Sequence, residues 1–230
     1  MRKWEDLPDH MRCEEVRPYF DVLKKKKASL VLKRISDILL AVIMLILCAI
    51  PMLIIAVMIK IDSKGPVFYR QERVTTYGKK FRIHKFRTMV ANADKIGTTV
   101  TVDGDSRITG VGRKLRHLRL DELPQLIDVL TGNMSFVGTR PEAVKYVEQY
   151  LPEYNATLLL PAGITSEASI RYKDEDKLLD AADDVDRVYI EKVLPDKMKW
   201  NLKSILEFRY GRDVATMFRT VAAVLGKEYT

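Results

Sequence analysis

An α-rich α+β domain carried on a membrane foot is the fold class that three observations predict. Residues Ile38 to Ile59 form an unbroken apolar run with Pro51 inside it. Two short segments after it have strand character, at 67–71 and 80–86. Beyond them apolar residues recur at three- and four-residue steps, most clearly over 111–130 and 196–226, the period of a half-buried helix.

The N-terminal region, residues 1–34, is basic and polar. Val16, Tyr19, Phe20 and Leu23 are spaced helically in it, which predicts an amphipathic helix on the membrane surface. Residues 35–61 follow as the membrane segment. The run reaches the roughly 20 apolar residues that a crossing helix needs. It starts too far in, is too long and lacks the cleavage site of a secretory signal. Proline in a helix interior removes a backbone donor and clashes with the preceding turn, so a break is expected at Pro51.

Charge decides between a crossing and a return. The formal net charge is +8. Lys24 to Lys27, Lys33 and Arg34 precede the run, and Lys60, Lys64, Arg70 and Arg73 follow it. Basic flanks mark the cytoplasmic side, and here both flanks are basic. Each half of the broken run reaches only about 14–20 Å as helix. The expectation is a re-entrant helix–break–helix with both ends in the cytoplasm. The same charge predicts contact with membrane lipids rather than nucleic acid, for which no recognisable module is present. Cys13 and Cys48 form no disulfide framework.

Residues 62–230 are expected to form one cytoplasmic catalytic domain with C-terminal amphipathic helices. Ser63-Lys64-Gly65-Pro66 reads as a turn, and Tyr77-Gly78 joins the two strands. Residues 92–106 read as a loop. A helix over 111–130 ends at Gly132-Asn133, and Met134 to Gly138 is a short strand or turn. Thr139-Arg140-Pro141-Glu142 has the capping-box pattern that opens a helix. Pro161 to Thr165 reads as a loop, 173–187 as a solvated acidic helix, and 196–226 as two helices parted near Gly211.

The chemistry concentrates in Leu120-Asp121-Glu122-Leu123-Pro124-Gln125-Leu126. Pro124 suits only the first turn of a helix, which places Asp121 near an N-cap. Such an Asp is most often a plain cap. Position favours more, because free N–H groups and the dipole make a helix start a phosphate seat. Arg107, Arg113, Arg116 and Arg119 lie upstream and Arg140 downstream. Arg matches phosphate oxygens in bidentate fashion.

With these motifs in order, the chain resembles the bacterial monotopic phosphoglycosyl transferases over roughly Leu32 to Tyr150, with a looser tail. The resemblance rests on Leu32 to Asp37, Gly65 to Arg73, Lys85 to Met89, Leu120 to Leu126 and Gly132 to Pro141. It implies a bacterial inner-membrane enzyme on the cytoplasmic face, with a nucleotide-sugar donor, in the first instance a UDP-sugar. The implied acceptor is polyprenol phosphate, such as undecaprenyl phosphate. Asp121 is implied as nucleophile, forming an aspartyl–phosphosugar, and Glu122 as the ligand of Mg²⁺. Lys85, Arg87, Arg107, Arg116 and Arg140 are implied to line the phosphate pocket. A homodimer through membrane-adjacent helices is compatible with this reading. The chain departs from the family at Ile50-Pro51, where Ser-Pro is usual, at Thr139, where Pro is common, and in the Pro161 to Ser166 loop. The competing reading is a non-catalytic, membrane-anchored basic scaffold for glycan-assembly enzymes.

Overall fold

The structure is a computed structural model and describes residues 1–93, 105–172 and 184–224. Helix α1 is Arg17–Lys24 and α2 is Lys27–Asp62. Strands β1, Phe68–Val74, and β2, Lys80–Phe86, pair antiparallel around a turn in which Tyr77 and Gly78 both take positive φ. Next come α3, Gly110–His117, and α4, Gln125–Thr131. Strand β3, Met134–Val137, pairs in parallel with β4, Ala162–Thr165, across α5, Val144–Val147. Helix α6 is Glu167–Arg171 and α7 is Val185–Val188, which runs through a π-turn into α8, Leu194–Leu206. Helix α9 is Tyr210–Val224. The architecture is mixed and helix-rich, as expected, with one long apolar helix.

That helix corrects the break expected at Pro51. Helix α2 runs 36 residues and continues on both sides of Pro51. The fixed φ of proline is itself helical, so proline costs one hydrogen bond and bends a helix rather than ending it. The most apolar stretch has a mean hydropathy of 3.2. Ile46, Leu47 and Ile50 are each 71% exposed.

Both arms of α2 nevertheless sit on the same body. On the first arm, Lys33 donates to the Val137 carbonyl at 2.8 Å and pairs with Asp213 at 2.6 Å. Arg34 donates to the carbonyls of Val129 and Leu130, neutralising the negative end of α4. Asp37 accepts from Ser135 Oγ at 2.7 Å. On the second arm, Ile55 and Ile59 are buried with Phe86 and Leu115. Asp62 accepts from the Val111 N–H at 3.1 Å. A straight helix of this length would span about 54 Å, with its middle bare and its ends held.

The remaining elements revise several expectations. The apolar face of α1 is not offered to a membrane: Val16, Tyr19, Phe20 and Leu23 are buried with Leu202, Ile205 and Phe208. The helix expected over 111–130 is two helices, because Arg119 takes a left-handed φ of 55° and a 3₁₀ turn, Leu120–Glu122, intervenes. No capping box forms at Thr139–Glu142; α5 begins after Ala143, without a side-chain cap. Glu142 is drawn instead into the core. Residues 162–165, expected as loop, are strand β4. It lies so close to the next segment that a Cβ on Gly163 would meet the Gly138 nitrogen at 2.2 Å. The last two helices part at 207–209, and Gly211 lies inside α9. Of their apolar faces, Leu202 and Ile205 are core, whereas Phe218, Val221 and Val224 are exposed. Most of 92–106 and of 173–187 lies outside the described residues.

Candidate active site

Strand periodicity aims the first component. On β2, Phe81, Ile83 and Lys85 share one face. Phe81 and Ile83 pack with Leu126 and Val129 of α4. His84 pins the strand to the same helix, its N–H and Nδ1 each 2.8 Å from the carboxylate of Asp128. This seating directs Lys85 at the turn before α4, where Lys85 Nζ lies 3.0 Å from Glu122 Oε1. The paired strand β1 places Tyr69, Gln71 and Arg73 on the same side, opposite Lys85, Ile83 and Phe81.

Arg140 arrives from the segment after β3. It donates to both oxygens of Glu122, through Nη1 to Oε2 at 3.2 Å and through Nη2 to Oε1. Its neighbours are fixed from behind. Arg73 donates to the Pro141 carbonyl and to Gln71. Glu142 is 6% exposed and accepts from Tyr189 at 2.7 Å and from Lys197. Two elements distant in sequence, β2 and the segment after β3, thus converge on Glu122.

Asp121 sits in the 3₁₀ turn, 8% exposed, and is not the N-cap of α4, a place taken by Pro124. Its Oδ1 is buried without a hydrogen-bonding partner among the described residues. Gln125, fully buried, lacks partners among the described residues for both side-chain amide atoms. The two are four residues apart on a nearly continuous helical path, which puts them on one face.

Electrostatics separates the two acids. Burial pushes the Asp121 carboxyl above the usual carboxylate range; Lys85 pulls against this, while Glu122 adds to it. Burial also pushes Glu122 upward, but Arg140 and Lys85 override it and hold Glu122 well below the ordinary value. Burial lowers Lys85, opposed by Glu122. One acid is therefore a fixed anion within a cationic clamp. Its neighbour retains an unengaged, basic oxygen.

Of the expected phosphate residues, Lys85 and Arg140 meet at Glu122. Arg116 is half-buried on α3, and its charge acts on Asp121. Arg107 turns to Asp105 at 2.6 Å and to the Ala93 carbonyl. Arg87 is 5% exposed and donates to Ser63 and to the Lys64 carbonyl, so it staples the end of α2 instead of joining the clamp. Sequence reasoning missed Gln125, Glu142, Tyr189 and Lys197 as parts of the site. The four-residue step from Asp121 was the available signal for Gln125. The eight-residue step from Tyr189 to Lys197, about two helical turns, was the signal for the Glu142 support.

Comparison with known proteins places this geometry in context. The model of the family described as bacterial sugar transferase matches residues 28–227. Among curated proteins, the UDP-N-acetylgalactosamine-undecaprenyl-phosphate N-acetylgalactosaminephosphotransferase of Aeromonas hydrophila is 38% identical over 197 residues, covering 84% of this chain and 44% of that protein. The UDP-glucose:undecaprenyl-phosphate glucose-1-phosphate transferase of Escherichia coli K12 is 37% identical over 222 residues, covering 92% and 45%. The exopolysaccharide production protein PSS of Rhizobium leguminosarum is 40% identical over 149 residues, covering 62% and 74%. The chain thus spans less than half the length of the first two relatives.

Proposed function

The chain belongs to the bacterial sugar transferase family, and we propose that it moves a sugar-1-phosphate from a nucleoside-diphosphate sugar to polyprenol phosphate. The observation that carries this is the clamp: Lys85 and Arg140 on Glu122, beside a buried Asp121 whose Oδ1 is unengaged. The names of the relatives support a UDP-sugar donor and undecaprenyl phosphate as acceptor. Those names differ in the sugar, N-acetylgalactosamine in one and glucose in the other.

In the proposed reaction an Asp121 oxygen attacks the β-phosphorus of the donor. The bond from that phosphorus to the bridging oxygen breaks, and the nucleoside monophosphate leaves. A phosphate oxygen of polyprenol phosphate then attacks the aspartyl phosphorus and releases the Asp121 carboxylate. Splitting the transfer through a covalent intermediate replaces one difficult step by two easier ones. Lys85, Arg116 and Arg140 supply positive charge where the phosphoryl oxygens gather it. The raised basicity of Asp121 strengthens it as a nucleophile once ionised.

We also propose that the pair takes magnesium. Among the described residues no group of three or more His, Cys, Asp and Glu gathers as a metal cage. Mg²⁺ is commonly held by one or two carboxylates with substrate phosphates and water. Arg140 and Lys85 occupy both Glu122 oxygens in this structure, so Glu122 would hold the ion against the diphosphate only by yielding part of that clamp, with the unpartnered Oδ1 of Asp121 beside it; the ion would neutralise phosphate charge.

The seating of both α2 arms on one body supports a re-entrant foot on the cytoplasmic face of a bacterial membrane, bent near Pro51 without a break. The clamp would then work at headgroup depth, where a lipid phosphate lies. Cysteines introduced at Lys27 and Asp62 and labelled in sealed vesicles test this topology; opposite-side labelling overturns it. For the chemistry, purified protein is incubated with labelled UDP-sugar and no acceptor. A covalent phosphosugar adduct in the native chain and none in Asp121→Asn is the expected result. An adduct in Asp121→Asn, or none in either, overturns the assignment.

A further inference from the structure

A second cavity, of about 270 Å³, lies apart from the clamp; neither Asp121 nor Glu122 lines it. Its walls come from α6, α8, α9, the end of β3 and Lys33 near the start of α2. Six cations line it: Lys33, Arg171, Lys203, Arg209, Arg212 and Arg219. Against them stand three acids, Glu167, Glu207 and Asp213, and each is already engaged. Asp213 pairs with Lys33, Glu207 with Arg212, and Glu167 with both Arg171 and Arg219. Six positive against three negative leaves an excess of three charges in one concavity. Lys203 lies over the ring of Trp200, and the Nε–H of Arg219 is buried without a partner among the described residues. A concavity with a net excess of one sign of charge concentrates the opposite sign. Guanidinium forks match phosphate oxygens.

The surroundings indicate where the phosphate comes from. Within one turn of Lys33, the side chains of Val31, Leu32 and Ile35 are 60%, 50% and 50% exposed. Within one turn of Arg219, those of Phe218 and Val221 are 73% and 59% exposed. Cationic lining and bare apolar side chains on the same two helices match a ligand that is charged at one end and apolar at the other. We propose that this cavity binds the phosphate headgroup of an anionic membrane lipid, at a site separate from the Asp121 centre. The inference rests on the bilayer seat of α2 and is independent of the chemistry at Asp121.

The chain has two tryptophans, so Trp4→Phe leaves Trp200, in the cavity wall, as the sole reporter. The full chain carrying Trp4→Phe is placed in vesicles holding increasing fractions of brominated phosphatidylglycerol or brominated phosphatidylcholine. In detergent the same protein is titrated with inorganic phosphate. Half-maximal quenching is expected at a lower fraction of the anionic lipid. Arg209→Ala, a change at an exposed side chain, should weaken that preference about fivefold, the share of one basic residue beside an anionic surface. Lys80→Ala, on the distant hairpin, should leave it unchanged. Displacement of the lipid effect by millimolar phosphate supports the phosphate site and assigns it a soluble ligand as well. Equal quenching by both lipids, or an anionic preference that survives both Arg209→Ala and Lys203→Ala, overturns the proposal.

Discussion

Arg140 donates to both carboxylate oxygens of Glu122, while the neighbouring Asp121 keeps one oxygen unengaged. One cation thus fixes the anion of an adjacent pair and leaves its neighbour with an oxygen open to the proposed chemistry. The planar fork of arginine is what permits two-point contact; a lysine in its place would offer only a point charge.

Arg140→Ala should therefore lower the rate of nucleoside monophosphate release by about 10²–10³, the usual loss when one positioned donor is removed from an electrostatic site. Arg140→Lys should recover little of it. The assay is release from UDP-sugar in the presence of polyprenol phosphate. A lysine variant near native rate would show that charge alone suffices and that the two-point contact is incidental.

Glu122 makes acid stability depend on the clamp. Its folded pKa lies well below the ordinary 4.5, burial being overridden by Arg140 and Lys85. A depressed carboxyl contributes stability that is present above the unfolded value and lost as pH falls through the folded one. Melting temperature should drop on acidification below about pH 4.5, and more steeply in the native chain than in Glu122→Gln. Parallel curves for the two proteins would remove Glu122 from the acid-labile set.

Much of this arrangement was legible in the sequence, for identifiable reasons. Lys85 is implied by the family resemblance; two-residue alternation puts it on the face of Phe81 and Ile83 but does not by itself aim it at Glu122. Asp121 and Glu122 follow from a dense local motif. The misreadings have physical causes. Residues 139–142 carry capping-box residue types, but Arg140 and Glu142 each find a stronger partner in the tertiary structure, Glu122 for one and Tyr189 with Lys197 for the other. Strand β4 is four residues long, and its partner β3 is a parallel strand beyond an intervening helix, so no local pattern marks it. At Pro51 the proline removes one backbone donor, but its fixed φ is itself helical, and α2 continues through it.

Asp121 should set the acid limb of the reaction. Burial raises its carboxyl above the ordinary 3.8, and only the ionised form is a nucleophile. The rate with saturating donor should fall as pH drops through that raised value. In Arg116→Gln, which removes a charge that favours ionisation, the limb should move to higher pH. A limb that stays in place in Arg116→Gln would mean that another group governs it.

Gln125 separates stability from activity. Its fully buried amide has no partner among the described residues, and such a group costs about 1–3 kcal/mol. Gln125→Met keeps volume and removes the amide. The melting temperature should hold or rise by a few degrees, while phosphosugar adduct formation falls, because no amide then faces the Asp121 side of the helix. A variant that loses stability and keeps its activity would make Gln125 a structural residue.

Arg87 yields the opposite pattern. Its guanidinium donates to the Lys64 carbonyl at 2.6 Å and to the Ser63 carbonyl at 2.7 Å, just beyond the end of α2. Gly65 makes this approach possible: its φ is +129°, and a Cβ there would lie 2.0 Å from Arg87 Nη1. Carbonyls at a helix C-terminus favour a cation, and a hydrogen bond to a charged group contributes about 1.5–3 kcal/mol. Arg87→Met retains much of the stem but loses those bonds, so the melting temperature should fall by several degrees. Gly65→Ala should produce the same loss, by displacing the guanidinium and straining φ. The apparent affinity for the UDP-sugar in the protein that remains folded should be unchanged in both. A weakened donor affinity with native stability would instead assign Arg87 to the phosphate pocket, as the family resemblance implies.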